Sequence, residues 1–350
     1  MSGLSGLSGL TGISGVAGGA SVPPSITSGA AFSVVEGNTA VGTVTATDGE
    51  TPYVFSISGG PDAALFDIDP DTGVLVFLVA PNYASPGDGG ANNVYDITVR
   101  VASSGGAYAE QDVAITVTEW LPSQLGSALK WWMDASYGIY TDAGTTPAVN
   151  DGDLVYRWVC RASGMVFDQA TSGNRPTLRI GANGKPAVEF ASGKYLVCSS
   201  HSLPTGNSAR SFSLGTKWSG VPWENNFPFA YGTPGTNFTY SASVVSGNWA
   251  IVAYSNDWTS TGLAASTSAY QVVDSKYDGT NLDMRLDGGT PATTTPTAYN
   301  TQAGAAYLGL FTTTGERYAG RVTQLALTNT ALSSGDRASL LTFQQRRFLT

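Results

Sequence analysis

The chain has 350 residues and a mass of 36.2 kDa, with 42% hydrophobic but only 12% charged residues, so it carries enough apolar bulk for two packed domains and is not a disordered polymer. A net charge of −9 and an isoelectric point near 4.5 exclude wrapping nucleic acid, whose phosphates would be repelled rather than neutralised. No apolar run reaches the roughly 20 residues that cross a bilayer as a helix, which excludes helical membrane insertion.

Residues 1–20 read as triplets, "GLSGLSGLTGISGVAGGA" from Gly3 onward. Glycine at every third position lets threefold helical strands approach an axis. The apolar residues Leu4, Leu7, Leu10 and Ile13 recur with the same period as Gly3, Gly6, Gly9 and Gly12. Two readings stand: a flexible tether, or an anchor that orders against a larger body or a threefold axis, for which a homotrimer is expected. The tract has no Lys or Arg and its glycines break every apolar run, so no secretory signal is expected.

From residue 21 to 119 the pattern changes to alternation. "FSVVEG", "VGTVTATD", "YVFSIS", "FDID", "GVLVFL", "YDITVRVAS" and "DVAITVTE" alternate apolar with polar residues between turn formers, which predicts about seven short strands in a Greek-key sandwich. "FDIDPDTG" predicts a strand end and a turn, with Pro70 opening it and Gly73 supplying the positive φ, rather than a metal loop. The stretch from "VVEGNTAVGTVTATDGE" to "YDITVRVASSGGAYAEQDVAITVTE" resembles a bacterial cadherin-like repeat. The resemblance implies calcium held by carboxylates, with Glu36 in the place of the family's base glutamate and Asp48 with Glu50 in that of its paired-acid motif. Two family ligand positions have changed, to Asn82-Tyr83-Ala84 and to Ser103. That leaves three carboxylates for an ion that takes six to eight oxygens.

From residue 120 to 350 the strand-and-turn rhythm continues. "DGTNLDMRLDGGT" predicts a hairpin turning at Asp278-Gly279. "SSGDRASLLTFQQRRFL" predicts a closing amphipathic helix that uses Leu340, Leu341, Phe343 and Phe348, with Ser334 as cap and Arg346 and Arg347 at its far end. So many strands in one domain predict a two-sheet jelly roll. "LKWWMDASYGIYTDAG", "DLVYRWVCRASG", "RPTLRIGANGKPAVEFASGKYLV" and "YAGRVTQLALTNTALSSGDRASLLTFQQRRF" resemble a concanavalin A-like, laminin-G-type domain. Where that family reads Trp-Lys-Asp, this chain has Trp158-Val159-Cys160. The expected fold is all-β: a cadherin-like Greek-key sandwich, then a concanavalin A-like jelly roll, with an N-terminal Gly-repeat anchor and a short C-terminal helix.

The jelly-roll segment lacks the Glu-x-Asp-x-Glu strand of glucanases on this fold. Its glutamates Glu189, Glu224 and Glu316 are scattered, and the single histidine, His201, lies in a loop-like "SSHSLP". No catalytic residue is expected. The two cysteines, Cys160 and Cys198, pair only if their strands are neighbours. Domains resembling this one often bind glycans, and the candidate platforms are Trp218, Trp223, Trp249, Tyr254 and Trp258, with Asn225, Asn226 and Asp257 nearby. The alternative is that these aromatics fill the core or a subunit contact. Anchor, spacer and lectin-like head in that order resemble a bacteriophage fibre or decoration protein. The expectation is a non-enzymatic protein on the virion surface, assembled in the host cytoplasm, with capsid or tail proteins and a host-surface glycan as partners. A bacterial surface or secreted adhesin is the alternative, and a carbohydrate-active enzyme comes after it.

Overall fold

The structure is a computed structural model that describes residues 21–191, 193–220, 226–235, 237, 239–311 and 316–348. The anchor residues Gly3, Leu4, Gly6, Leu7, Gly9, Leu10, Gly12 and Ile13 lie outside the described residues. The chain divides after Trp120 into two compact units.

Among the described residues the first unit has nine strands: β1 Ser25–Ile26, β2 Ala31–Val35, β3 Ala40–Thr43, β4 Ala46–Thr47, β5 Val54–Gly59, β6 Phe66–Ile68, β7 Val74–Phe77, β8 Val94–Ala102 and β9 Tyr108–Thr118. They exceed the seven expected because "VGTVTATD" breaks into β3 and β4 and because β1 forms to pair with β4. A four-stranded sheet runs β2-β9-β8-β5 and a three-stranded one β3-β7-β6. The alternation works as predicted. Tyr95, Ile97, Val99 and Val101 of β8, with Val113, Ile115 and Val117 of β9, point into one core with Leu75 and Phe77 of β7. Each such side chain contributes about 1.5–3 kcal/mol when fully buried. Gly73 sits at φ +71, and a Cβ there would stand 2.3 Å from the Val44 carbonyl. Asp69 closes the turn by accepting the Asp71 and Thr72 N–H groups.

The second unit packs two large sheets face to face. One runs Thr177–Ile180, Pro186–Phe190, Gly320–Thr328, Arg210–Trp218, Gln271–Tyr277, Leu282–Leu286, Ala292–Thr294, with Leu129–Asp134 also pairing to Gly320–Thr328. The other has nine strands, from Ile139–Tyr140 at one edge through Ala305–Leu308 and Phe229–Gly232 to Trp258–Ala264 at the other. Between them lies an aromatic core in which Trp131 stacks on Phe167 at 5.0 Å and Phe212 meets Phe229 edge-on. The predicted hairpin joins Gln271–Tyr277 to Leu282–Leu286, its turn tied by Asp278 to the Thr280 and Asn281 N–H groups.

The closing helix, α1 (Ser334–Phe348), lies against the outer face of the first of these sheets. Its cap is Ser333, one residue earlier than expected. The Ser333 Oγ accepts the Asp336 N–H and donates to the Asp336 carboxylate, a reciprocal pairing that satisfies a donor the helix leaves open. Leu340 and Phe343 are buried beneath the helix. The rest of the contact is polar: Gln344 bonds Ser213, and Arg337 reaches Asp274 and Asp283. The strand Arg210–Trp218 is therefore buried on both faces over most of its length, although Ser211 and Ser213 point outward.

Candidate functional site

Strand pairing gathers five loops at one end of the second unit. Arg210 pairs with Tyr277, and Gly232 pairs with both Thr239 and Ala305. Loops 199–209, 253–257, 278–281 and 297–304, with residues 233–235 and Asn237, therefore share one rim. Hydrogen bonds lace them together. Gly206 N–H reaches the Thr301 carbonyl at 2.7 Å, Asn300 N–H the Asn237 carbonyl at 3.3 Å, and Asn237 N–H the Tyr254 carbonyl at 2.7 Å. Asn237 and Asn256 side-chain amides donate to the Ala298 and Thr297 carbonyls, and Asn207 ties Gly279 to Tyr299.

Beneath the rim sits Arg210, fully buried. Its guanidinium donates to the Ser208 and Gly206 carbonyls at 2.9 and 2.8 Å, and to the Tyr231 hydroxyl and Thr301 Oγ1, both at 2.9 Å. It also lies 4.9 Å from the Tyr240 ring. Among the described residues no carboxylate pairs with it; carbonyl and hydroxyl dipoles and the Tyr240 ring solvate the charge. Removing any of them costs the desolvation of a charged group, so the loops are held in one arrangement.

Only part of the expected aromatic platform is on this surface. Trp218 and Trp249 belong to the core: they are 2% and 0% exposed, with rings 5.6 Å apart. Strand parity decides this, because Phe212, Leu214 and Trp218 face inward together, as do Trp249 and Ile251 between outward Ala250 and Val252. Trp258 is half-buried against the same core. Trp223 and Asn225 lie outside the described residues. Tyr254 is exposed, in a left-handed turn with Ser255, its ring 5.6 Å from Phe311. Asp257 accepts the Ala253 N–H and shapes that turn. Sequence reasoning missed Arg210 and Asn237. In sequence they read as an ordinary surface cation and a turn former.

Glu36, Glu50, Cys160 and Glu189 have structural partners, and Glu224 lies outside the described residues. Among the described residues no three His, Cys, Asp or Glu side chains group as metal ligands. The three-carboxylate calcium set is not assembled: Glu36 and Glu50 lie at opposite ends of the four-stranded sheet. Glu36 sits beyond β2, where its carboxylate accepts the Tyr83 and Trp120 N–H groups. Glu50 lies by the β8–β9 turn, holding Ser103, Ser21 and the Val22 N–H, and Asp48 is two residues away from it. The eleven residues of β9 separate the two ends by about 30 Å. The Val22 N–H, with Ser21 and Ser103, holds the Glu50 carboxyl below its ordinary range.

Both cysteines are free and buried. The strand Val166–Asp168 runs between theirs, so their backbones stand about two strand spacings apart, roughly 9–10 Å, beyond disulfide reach. The Cys160 sulfur accepts the Trp132 N–H at 3.2 Å and the Ser163 hydroxyl at 3.1 Å, an acceptor in the position where the resembled family has aspartate.

Glu189 spans two strands, its oxygens taking Arg179 Nε at 2.6 Å and Arg321 Nε at 3.0 Å. Burial alone would raise this carboxyl, but the two guanidiniums outweigh it and hold it below the ordinary range. A folded value below the unfolded one adds stability above the unfolded pKa, and that stability is lost as pH falls through the folded one. Glu189→Gln is therefore expected to lower stability at neutral pH by on the order of 1 kcal/mol, kept small because both arginines are over a third exposed. The gap to wild type should close below about pH 4. Urea unfolding at both pH values checks it, and a gap that stays constant with pH overturns it.

No protein-family model matches the chain, and no curated protein matches it. Solved structures do. A GH54 α-L-arabinofuranosidase variant soaked with 4-nitrophenyl α-L-arabinofuranoside aligns at TM-score 0.50 and 15% identity, over 65% of this chain and 64% of its own. An arabinofuranosidase complexed with arabinofuranosyl-α-1,2-xylobiose gives TM-score 0.47 and 14% identity, over 63% of this chain and 60% of its own. Domain 4 of AbnA, a GH43 extracellular arabinanase from Geobacillus stearothermophilus in complex with arabinotriose, gives 0.42 and 15%, over 61% of this chain and 97% of its own. The chain spans under two thirds of the arabinofuranosidases it matches. At these identities the likeness is one of fold: the chain is all-β, and its second unit is a jelly-roll sandwich.

Proposed function

We propose that this chain is a non-enzymatic glycan-binding protein whose second unit presents the rim around Tyr254 to a surface polysaccharide. The observation that carries the reading is an exposed tyrosine ring on a turn that Asn237 and Asn256 tie to loop 297–304, which buried Arg210 bonds at Thr301. An aromatic face packs against sugar C–H surfaces, and amides meet hydroxyls. Pre-ordered loops reduce the entropy lost on binding. That the matched arabinofuranosidases act on sugars supports the choice of ligand class. The absence of catalysis is part of the proposal and rests on Glu189, a carboxylate committed to two arginines. The proposal extends to a place on a virus particle as a fibre or decoration protein, for which the order of Gly-x-x tract, spacer and head is the support.

A glycan array followed by calorimetry tests the binding. Tyr254→Ala is expected to weaken the best ligand by about tenfold with no change in the thermal midpoint. Unchanged affinity, or an array with no hit, overturns the glycan reading, and release of reducing sugar from a polysaccharide panel overturns the non-enzymatic one. For the particle, deletion of residues 1–20 is expected to abolish incorporation, and normal incorporation overturns that part.

A further inference from the structure

The rim carries the one imidazole of the chain. His201, the only histidine of the chain, lies in the loop between Leu196–Cys198 and Arg210–Trp218. Its Nδ1 accepts the Leu203 N–H at 3.2 Å. An accepting ring nitrogen carries no proton, so this bond exists only with neutral imidazole. The ring stands edge-on to Tyr231, centroids 5.7 Å apart, and Tyr231 is the residue whose hydroxyl accepts from Arg210. Burial disfavours the charged ring and holds it below its ordinary pKa, offset in part by the Gly304 backbone.

The surroundings offer a second charge no carboxylate, and the Gly304 backbone offsets the burial only in part. Facing His201 are Tyr231 from the strand Phe229–Gly232 and the Gly304 backbone from loop 297–304, with Arg210 behind Tyr231. Among the described residues neither His201 nor Arg210 has a carboxylate partner. A proton on Nδ1 would set two donors, ring N–H and Leu203 N–H, against each other. It would also add a cation beside a buried guanidinium that has no carboxylate partner among the described residues. The strained segment is the one whose Pro204, Gly206 and Ser208 carbonyls hold Arg210. Through the Gly206–Thr301 and Asn300–Asn237 bonds it is continuous with the turn that carries Tyr254.

We propose that His201 is an acid-triggered latch: on taking up a proton it releases loop 201–208 from the rim, loosening loop 297–304 with it. The latch stands on this geometry alone. That its opening also weakens ligand binding rests on the glycan reading.

Hydrogen exchange on the full chain without ligand tests it, at about pH 7.5 and about pH 5, with rates corrected for their intrinsic pH dependence. Opening of 201–208 and 297–304 is expected to rise by about tenfold or more at the lower pH while the aromatic core stays protected. His201→Asn, whose Oδ1 can still accept the Leu203 N–H but does not titrate, should show no rise. An equal rise in H201N, no rise in wild type, or exchange of the whole unit in step overturns the latch. Because the chain has one histidine, an NMR titration of wild type gives a second readout that needs no variant. The imidazole and the Leu203 amide should titrate with one midpoint, and different midpoints overturn the proposal. Both readouts are blind to glycans, so they separate failure of the latch from failure of the binding reading.

Discussion

Trp249→Ala is expected to destabilise the second unit by about 4 kcal/mol, the range for deleting a buried large aromatic. Trp249 is fully buried, its ring is 5.6 Å from Trp218, and Trp218 in turn packs 4.8 Å from Tyr318. The cavity would open between two sheets held on both sides by strand pairing, which limits collapse. The indole N–H of Trp249 has no hydrogen-bond partner, so Trp249→Phe removes that orphan along with some volume and should cost well under half as much. Denaturant unfolding followed by tryptophan fluorescence measures both, since every tryptophan except Trp120 lies beyond the boundary between the units. A loss of less than about 1 kcal/mol in W249A would place this ring outside the load of the core.

Arg337→Ala is expected to cost about 3–5 kcal/mol, the range for breaking a buried pair by removing one partner. Arg337, itself only 5% exposed, bonds Asp274 and stands 2.5 Å from Asp283. Its loss leaves Asp274, 2% exposed, with Arg285 at 3.4 Å as its remaining ion-pair partner. Burial already pushes the Asp274 carboxyl up, against the pull of Arg337 and Arg285, and without Arg337 that push is less opposed. The helix α1 should loosen first, because Leu340 and Phe343 are the buried apolar side chains it sets against the sheet. Combining Arg337→Ala with Asp274→Ala should cost less than the sum of the single changes, since the second change removes the carboxylate the first one stranded. Additive losses would mean that the two residues contribute independently.

Much of the fold was legible because strand alternation is a local code. Residues two apart share a face, so Val99 and Val101, or Val113, Ile115 and Val117, declare a buried side before any partner is known. Gly73 and Asp278-Gly279 were legible for the same reason: a positive φ or an Asx turn is decided within four residues. The helix cap was missed by one residue, Ser333 for Ser334, because both serines can accept a backbone N–H and only the position of the first helical turn selects between them.

The site was less legible. Trp218, Trp249 and Tyr254 are equivalent as large aromatics in a β-rich stretch. Whether each meets core or solvent depends on strand parity and on what lies across the sandwich. Glu36, Asp48 and Glu50 are close in sequence, yet the sheet carries Glu36 to the far end from Glu50. Arg210 gave no signal at all, since a buried guanidinium and a solvated one are written with the same letter.

By itself, the sequence determined the all-β class, the main strands of the first unit, the turns at Gly73 and Asp278-Gly279 and the closing helix, because each follows from interactions within a few residues. The tertiary structure alone decided which aromatics remain outside, which carboxylates meet, and that five distant loops share one rim around Arg210. Those outcomes depend on long-range pairing and on burial, and both are properties of the assembled sheets rather than of any segment.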